Sequence, residues 1–298
     1  EQNRFNSMPD EIFEYILRWL DQRSYVRCMR LSHLFERVFE FPWPVQVVSR
    51  GTNAHIVGKV LRGKFEDLVL RDWTLLDLVK LTNGNSVDSL KKLHLHRSPC
   101  SLMRTSVNID QLSILMANIT SLVVQDSQVD STLLCFNKVI QTLVMPERTL
   151  DHVAPFAASL THLNCRLRTD SVSLDCIEEL TNLRCLELSS WETCGQLNAQ
   201  WGVFPHLASL ALLRINCTPA SLQCLPRSLR KIVLKRCETN CNVMSALGNL
   251  TGLKVLELTR CGHLTNRGLS HLKALPLEFV KLRHLAFIDI HGLSDLKT

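Results

Sequence analysis

Aromatic residues are scarce in this 298-residue chain, at 6%. A core built from it must therefore be filled by layers of leucine and valine. No apolar stretch reaches the length of about 18 residues that would mark a membrane span. The charge balance, 34 − 28 = +6, contains no long basic run. It favours acidic partners loosely and does not by itself point to nucleic acid. Catalytic signatures are missing too: there is no G-x-S-x-G, no glycine-rich phosphate loop and no H-E-x-x-H. The chain reads as a non-enzyme that needs no cofactor. No signal-peptide pattern opens it. The 12 cysteines contain no C-x-x-C pair to anchor a zinc site and are scattered mostly singly. Free thiols of this kind point to a reducing compartment, the cytosol or nucleus.

What the chain does have is repetition. Leu253-Lys-Val-Leu256-Glu-Leu258-Thr-Arg-Cys261 has the form L-x-x-L-x-L-x-x-C, and Leu269, Leu272 and Leu275 follow at a spacing that suits a short helix. The six-residue core recurs from Phe65, Leu90, Ile119, Ile140, Leu160, Leu183, Leu207, Leu229, Leu253 and Leu277. The intervals between these starts are 25, 29, 21, 20, 23, 24, 22, 24 and 24 residues. This period resembles the leucine-rich repeats. One such unit cannot bury its own strand and helix, so copies must stack. The resemblance implies an α/β solenoid of about ten repeats, with a curved parallel sheet inside and helices outside.

Strand side chains alternate, so the residues between the leucines face away from the core. That face carries Arg71, Lys92, Arg166, Lys231, Lys235, Lys281 and Arg283 against Asp67, Glu187 and Glu257, with His94, His96 and His162 besides. Val233 lies between Lys231 and Lys235 and reads as an exposed valine between cations. Arg71, Lys92, His94, Arg166, Lys231, Val233, Lys235, Lys281 and Arg283 are the candidate target-binding residues. Their sign suits an acidic or phosphorylated peptide. The bland alternative is a solvated sheet face.

Residues 1–44 lack the repeat. Ser7-Met-Pro9-Asp10 reads as a helix start. Apolar sets at Ile12, Ile16, Leu17 and Leu20, at Tyr25, Val26 and Met29, and at Leu34, Phe35, Val38 and Phe39 mark three short helices before Pro42. So small a core needs something to lean on. Met8-Pro9-Asp10-Glu11-Ile12, Ile16-Leu17 and Leu20, then Leu31-Ser32-His-Leu34-Phe35, resemble an F-box, with Met8, Leu31 and Phe35 replacing the leucine, valine and tryptophan usual there. The resemblance implies an F-box over 1–44 and a leucine-rich-repeat domain over 45–298. It further implies a substrate receptor of a Skp–cullin–F-box ubiquitin ligase, with Met8, Pro9, Ile12, Ile16 and Leu20 on the Skp adaptor and the cullin reached through that adaptor. Neither nucleic acid nor membrane is an expected partner. The alternative is an interaction scaffold without ligase function.

Four smaller expectations complete the reading. Val45-Gln-Val47-Val48 forms a first strand, and a loop around residues 98–106 precedes a helix through Ile109, Leu112, Leu115 and Met116. Leu285 to Ile290 closes the open end of the stack. Cys237, Cys241, Cys261 and His263, or His94-x-His96, are weak metal candidates beside the simpler reading of core thiols. Asn118, Asn216 and Asn249 head glycosylation sequons that would matter only in an extracellular binding protein.

Overall fold

The computed structural model describes residues 46–49, 66–74, 77, 90–98, 109–125, 137, 139–145, 153–167, 177–197 and 199–289. The expected F-box helices, with Met8, Pro9, Ile12, Ile16 and Leu20, lie outside the described residues, as does the segment 99–108. The chain divides into two compact units, residues 1–137 and 138–298.

In the first unit, β1 (Gln46–Ser49), β2 (Asp67–Arg71), β3 (Lys92–His96) and β4 (Ser121–Gln125) lie side by side in sequence order, all parallel. Strand β1 falls where the valine-rich stretch predicts it. Helix α1 (Ile109–Met116) occupies the predicted spacing ahead of β4. Parallel neighbours cannot be joined by a tight turn, so each strand needs a crossover to reach the next. Asn137 holds one such return in place: its buried amide donates to the carbonyl of Ile119 at 2.7 Å and to that of Met116.

In the second unit, β5 (Thr142–Met145), β6 (His162–Leu167), β7 (Cys185–Leu197), β8 (Ser209–Cys217), β9 (Lys231–Lys235), β10 (Val255–Thr259) and β11 (Phe279–Arg283) pair in the same way, each parallel to the next. Single turns of 3-10 helix, Ala154–Phe156 and Trp201–Val203, precede β6 and β8. Short helices α2 (Pro219–Gln223), α3 (Cys241–Gly248) and α4 (Asn266–Ser270) precede β9, β10 and β11. The helices start where side chains satisfy orphan amides. Thr218 accepts from the Ser221 N–H at 3.0 Å, Asn240 from that of Val243 at 3.0 Å, and Thr265 from that of Gly268 at 3.4 Å.

The leucine period reports burial throughout. In the described repeats up to β10, the residues at the L-x-x-L-x-L positions are buried. Burying each leucine stabilises the stack by about 1.5–3 kcal/mol. Leu269, Leu272 and Leu275 are all buried, yet α4 stops at Ser270 and turns carry the chain on. Their spacing reports contact with the core, not helix length. Pro276 disfavours a helical Leu275, which works against a single helix through all three leucines.

Three aromatics of the second unit fill the back of the stack where it is thin. Phe156, Trp201 and Phe204 are among the largest fully buried side chains, and two of them belong to the 3-10 turns. The rings of Trp201 and Phe204 sit 6.5 Å apart and tilted by 48°. A three-residue turn offers few side chains to the core, so a large one fills the layer that a helix fills elsewhere. Neighbouring repeats are also tied by hydroxyls: Ser159 Oγ donates to Ile140 O and Ser228 Oγ to Leu207 O, each at 2.8 Å.

Two features depart from the sequence reading. Strands β7 and β8 continue past the repeat core, through register shifts after Ser189, to pair Gln196 with Asn216 and Leu197 with Cys217. Leu285–Ile290 does not close the stack over the described residues. Phe287 is 64% exposed, and Val280 and Leu282 stay half-buried where their counterparts on β10 are sealed. An isolated bridge from Thr265 to Phe287 and paired bonds between Asn266 and Asp289 tie this segment to the repeat before it.

Candidate protein-binding face

On the first unit, Arg71 and Lys92 are exposed on β2 and β3. The register sets Lys92 opposite Asp67 and Arg71 opposite His96. His94 Nε2 lies 3.3 Å from Asp67 Oδ1, a charge contact when the imidazole is protonated, without the alignment of a hydrogen bond. Asp67 thus answers His94 when that ring carries charge and leaves Arg71 and Lys92 exposed.

On the second unit, Arg166 is half-buried on β6. A shallow cavity of about 230 Å³ opens across the face of β5 to β8, lined among others by Val144, His162, Asn164, Cys185 and Glu187. Burial pushes the Cys185 thiol up, so it is a weak nucleophile there.

Strands β9 to β11 bring together Lys231, Val233, Lys235, Lys281 and Arg283. The arrangement differs from a simple basic pair around an exposed valine. Val233 is only 7% exposed and stands directly opposite Glu257. Glu257 is gripped from two sides: Lys231 Nζ lies 3.2 Å from Oε1 and Lys281 Nζ 3.3 Å from Oε2. Partial burial pushes the Glu257 carboxyl up, but hydrogen bonds and charge from the two lysines outweigh it and hold it below its ordinary value. Lys231 and Lys281 are therefore engaged with a carboxylate of the chain itself. Lys235 and Arg283 are exposed and, among the described residues, have no ion pair.

Among the described residues no three metal-ligating side chains converge. Cys237 and Cys261 belong to the core, and their thiols donate to Leu212 O at 3.5 Å and Leu234 O at 3.4 Å. Burial pushes the Cys237 thiol up to about 11 and raises that of Cys261. Asn216 is also buried, and its Oδ1 accepts from the Glu238 N–H at 2.7 Å. A glycan cannot sit on that side chain in the folded protein.

The sequence reading overlooks one set. Arg214, Arg236, Arg260 and His284 each follow a strand's last residue or solvent-facing position, and each has φ between 53° and 60°. Asp72 and Arg97 occupy the same place after β2 and β3. Backbone bonds Arg236 N to Thr259 O and Arg260 N to Arg283 O, both 2.9 Å, keep this row in step beyond the strands. The signal was available as a basic residue two places after the last core leucine: Leu212-Leu-Arg214, Leu234-Lys-Arg236, Leu258-Thr-Arg260, Leu282-Arg-His284.

Comparison with known proteins bears on the N-terminal segment and on the fold. The F-box domain family matches residues 5–43. No curated protein sequence matches as a relative. Among solved structures, an internalin from Listeria monocytogenes is 16% identical with a TM-score of 0.53, over 88% of this chain and 73% of its own. A leucine-rich-repeat protein from Leptospira interrogans is 13% identical with a TM-score of 0.51, over 90% of this chain and 84% of its own. At such identities the likeness concerns the fold. The chain thus joins an N-terminal F-box to a leucine-rich-repeat solenoid of α/β class.

Proposed function

We propose that this chain is the substrate-recognition subunit of a Skp–cullin–F-box ubiquitin ligase. The observation that carries the reading is the F-box match over residues 5–43 placed directly before a parallel repeat sheet whose first strand starts at Gln46. An F-box over 1–44 holds the Skp adaptor through Met8, Pro9, Ile12, Ile16 and Leu20, and the adaptor brings the cullin. The repeat domain over 45–298 holds the target. Its solvent-facing residues include exposed cations that suit an acidic or phosphorylated segment. The chain makes no bond itself; it supplies proximity and orientation to partners that do. Buried free thiols such as Cys237 and Cys261 fit a reducing cytosol or nucleus.

The experiment is co-purification of the full chain with the Skp adaptor and with cullin. Wild type retains both. The Pro9→Ala, Ile12→Asp double variant loses the adaptor while its circular dichroism and melting remain those of the wild type. Undiminished adaptor binding by the folded double variant ends the F-box assignment. Adaptor without cullin in the wild-type complex selects the scaffold reading instead.

A further inference from the structure

The row of left-handed residues inside β8 and at the ends of β9 to β11 has a property its counterpart in the first unit lacks. After β2 and β3 the two positions are held by an acid and a base, Asp72 and Arg97, whose charged groups lie 3.4 Å apart. That part of the row neutralises itself. Within β8 and after β9 to β11 the equivalent positions are held by Arg214, Arg236, Arg260 and His284. The residues just before them are Leu213, Lys235, Thr259 and Arg283, so eight consecutive places across four strands carry five lysines and arginines, one histidine and no acid. Register fixes the alignment: Leu213 pairs with Lys235, Lys235 with Thr259, and Thr259 with Arg283.

One acid, Glu238, is exposed two residues after Arg236, and the acids on β9 to β11 are engaged elsewhere. Glu257, two residues before Thr259, is occupied by Lys231 and Lys281. Lys254 is paired with Glu278 at the other end of the strands. Lys235, Arg236, Arg260 and Arg283 are exposed and, among the described residues, make no ion pair. Holding a residue with a side chain in the left-handed region costs roughly 1 kcal/mol, a place that glycine or asparagine fills with less strain. Like charges one strand apart repel as well.

We infer that this left-handed row, from Arg214 through Arg236 and Arg260 to His284 with Lys235 and Arg283 beside it, is the docking strip for an acidic segment of the target protein. The inference rests on the proposed role of the repeat domain in holding a target and moves its electrostatic centre from the middle of β9 to the strand ends. Strands lie about 4.8 Å apart, so the row spans about 14 Å, which an extended peptide crosses in about four to five residues. Arginine forks suit paired carboxylates or a phosphate. Phe287, exposed three residues beyond His284, offers an apolar contact at the row's end. A peptide is favoured over single-stranded nucleic acid, which needs an aromatic platform for successive bases. The row itself contains none.

The test uses the full chain and a fluorescent decapeptide of glutamate and phosphoserine, with a labelled thymidine oligonucleotide and a neutral peptide of the same length as comparisons. Binding is read by anisotropy at low and physiological salt. Wild type binds the acidic peptide in a salt-sensitive way. Arg236→Glu with Arg260→Glu weakens it about tenfold or more, and Arg236→Gln with Arg260→Gln weakens it less. Lys254→Glu, at the opposite strand end, leaves it unchanged. Equal melting temperatures establish that the variants are folded. Three results overturn the proposal: unchanged affinity in the folded charge-reversed variant, loss of affinity in Lys254→Glu alone, or tighter binding of the oligonucleotide than of the peptide. Adaptor co-purification is measured on the same samples. Its retention alongside any of those results rejects the strip and spares the F-box assignment, and its loss in wild type does the reverse.

Discussion

Lys281 Nζ reaches Glu257 Oε2 at 3.3 Å directly across the β10–β11 ladder, where the register pairs the two residues. With Lys231 closing from β9, the carboxylate is held below its ordinary value. A carboxyl whose pKa is lowered on folding contributes stability above its unfolded value of about 4.3, and that contribution fades as pH falls through the folded value. Glu257→Gln is therefore expected to lower the urea midpoint at neutral pH, by no more than about 1 kcal/mol because both lysines are well solvated. The gap from wild type should begin to narrow as pH falls toward the unfolded value of about 4.3 and close once pH has fallen through the lower folded value. A gap that stays constant with pH would sink this account.

Gly248, at the end of α3, has no room for a methyl group. A Cβ there meets the His271 carbonyl oxygen at 2.5 Å, whereas one at Gly262 meets nothing within 4 Å. Gly248→Ala is expected to destabilise by about 1–3 kcal/mol, because backbone of the next repeat has to shift. Gly262→Ala should fall within about 0.5 kcal/mol of wild type. Chemical denaturation of the two variants side by side decides it; equal stability would contradict the close approach.

Trp201 fills the layer behind β8 where no helix stands, and is fully buried beside Phe204. Trp201→Ala is expected to cost about 3–5 kcal/mol. The loss should appear as a lower unfolding midpoint. A cost below about 1 kcal/mol would mean that the 3-10 repeat collapses around the gap, which dense packing resists.

Thiol reactivity should follow burial. Cys224 is exposed, while Cys237 and Cys261 are sealed in the core and pushed up by burial. Brief iodoacetamide treatment of the native protein, read by peptide mass spectrometry, is expected to label Cys224 and spare the other two until denaturant is added. Rapid native labelling of Cys237 would refute its placement.

The repeat was legible because its signal is one of spacing. Each turn of chain must return a leucine triplet to the same layer, so the period is written into Leu183, Leu207, Leu229 and Leu253 whatever lies between. The crossovers were less legible, since a return path of fixed length can be spanned by α3 or by a single 3-10 turn at Trp201. The solvent-facing side of the sheet was half legible. Alternation placed Lys231, Lys235, Lys281 and Arg283 on the correct side of the strands, but nothing local shows that Lys231 and Lys281 converge on Glu257. That pairing depends on three strands standing in register. The left-handed arginines escaped notice for a related reason: their spacing is regular, but an isolated L-x-R carries no meaning until the turns are stacked.

Because every strand of β5 to β11 that the register resolves pairs only with its sequence neighbours, disruption travels along the row one step at a time. Such a fold behaves like a one-dimensional chain of coupled elements, in which order spreads from the best-formed member outward. Leu253, Leu256 and Leu258 are sealed, whereas the strand after them keeps Val280 and Leu282 half-open to solvent. Amide exchange should accordingly be graded, slow in β9 and β10 and fast in β11. The arginines at 236 and 260 then stand on the firm part of the ladder, and His284 on the part that frays, so an acidic segment that spans all three is expected to slow exchange most in β11.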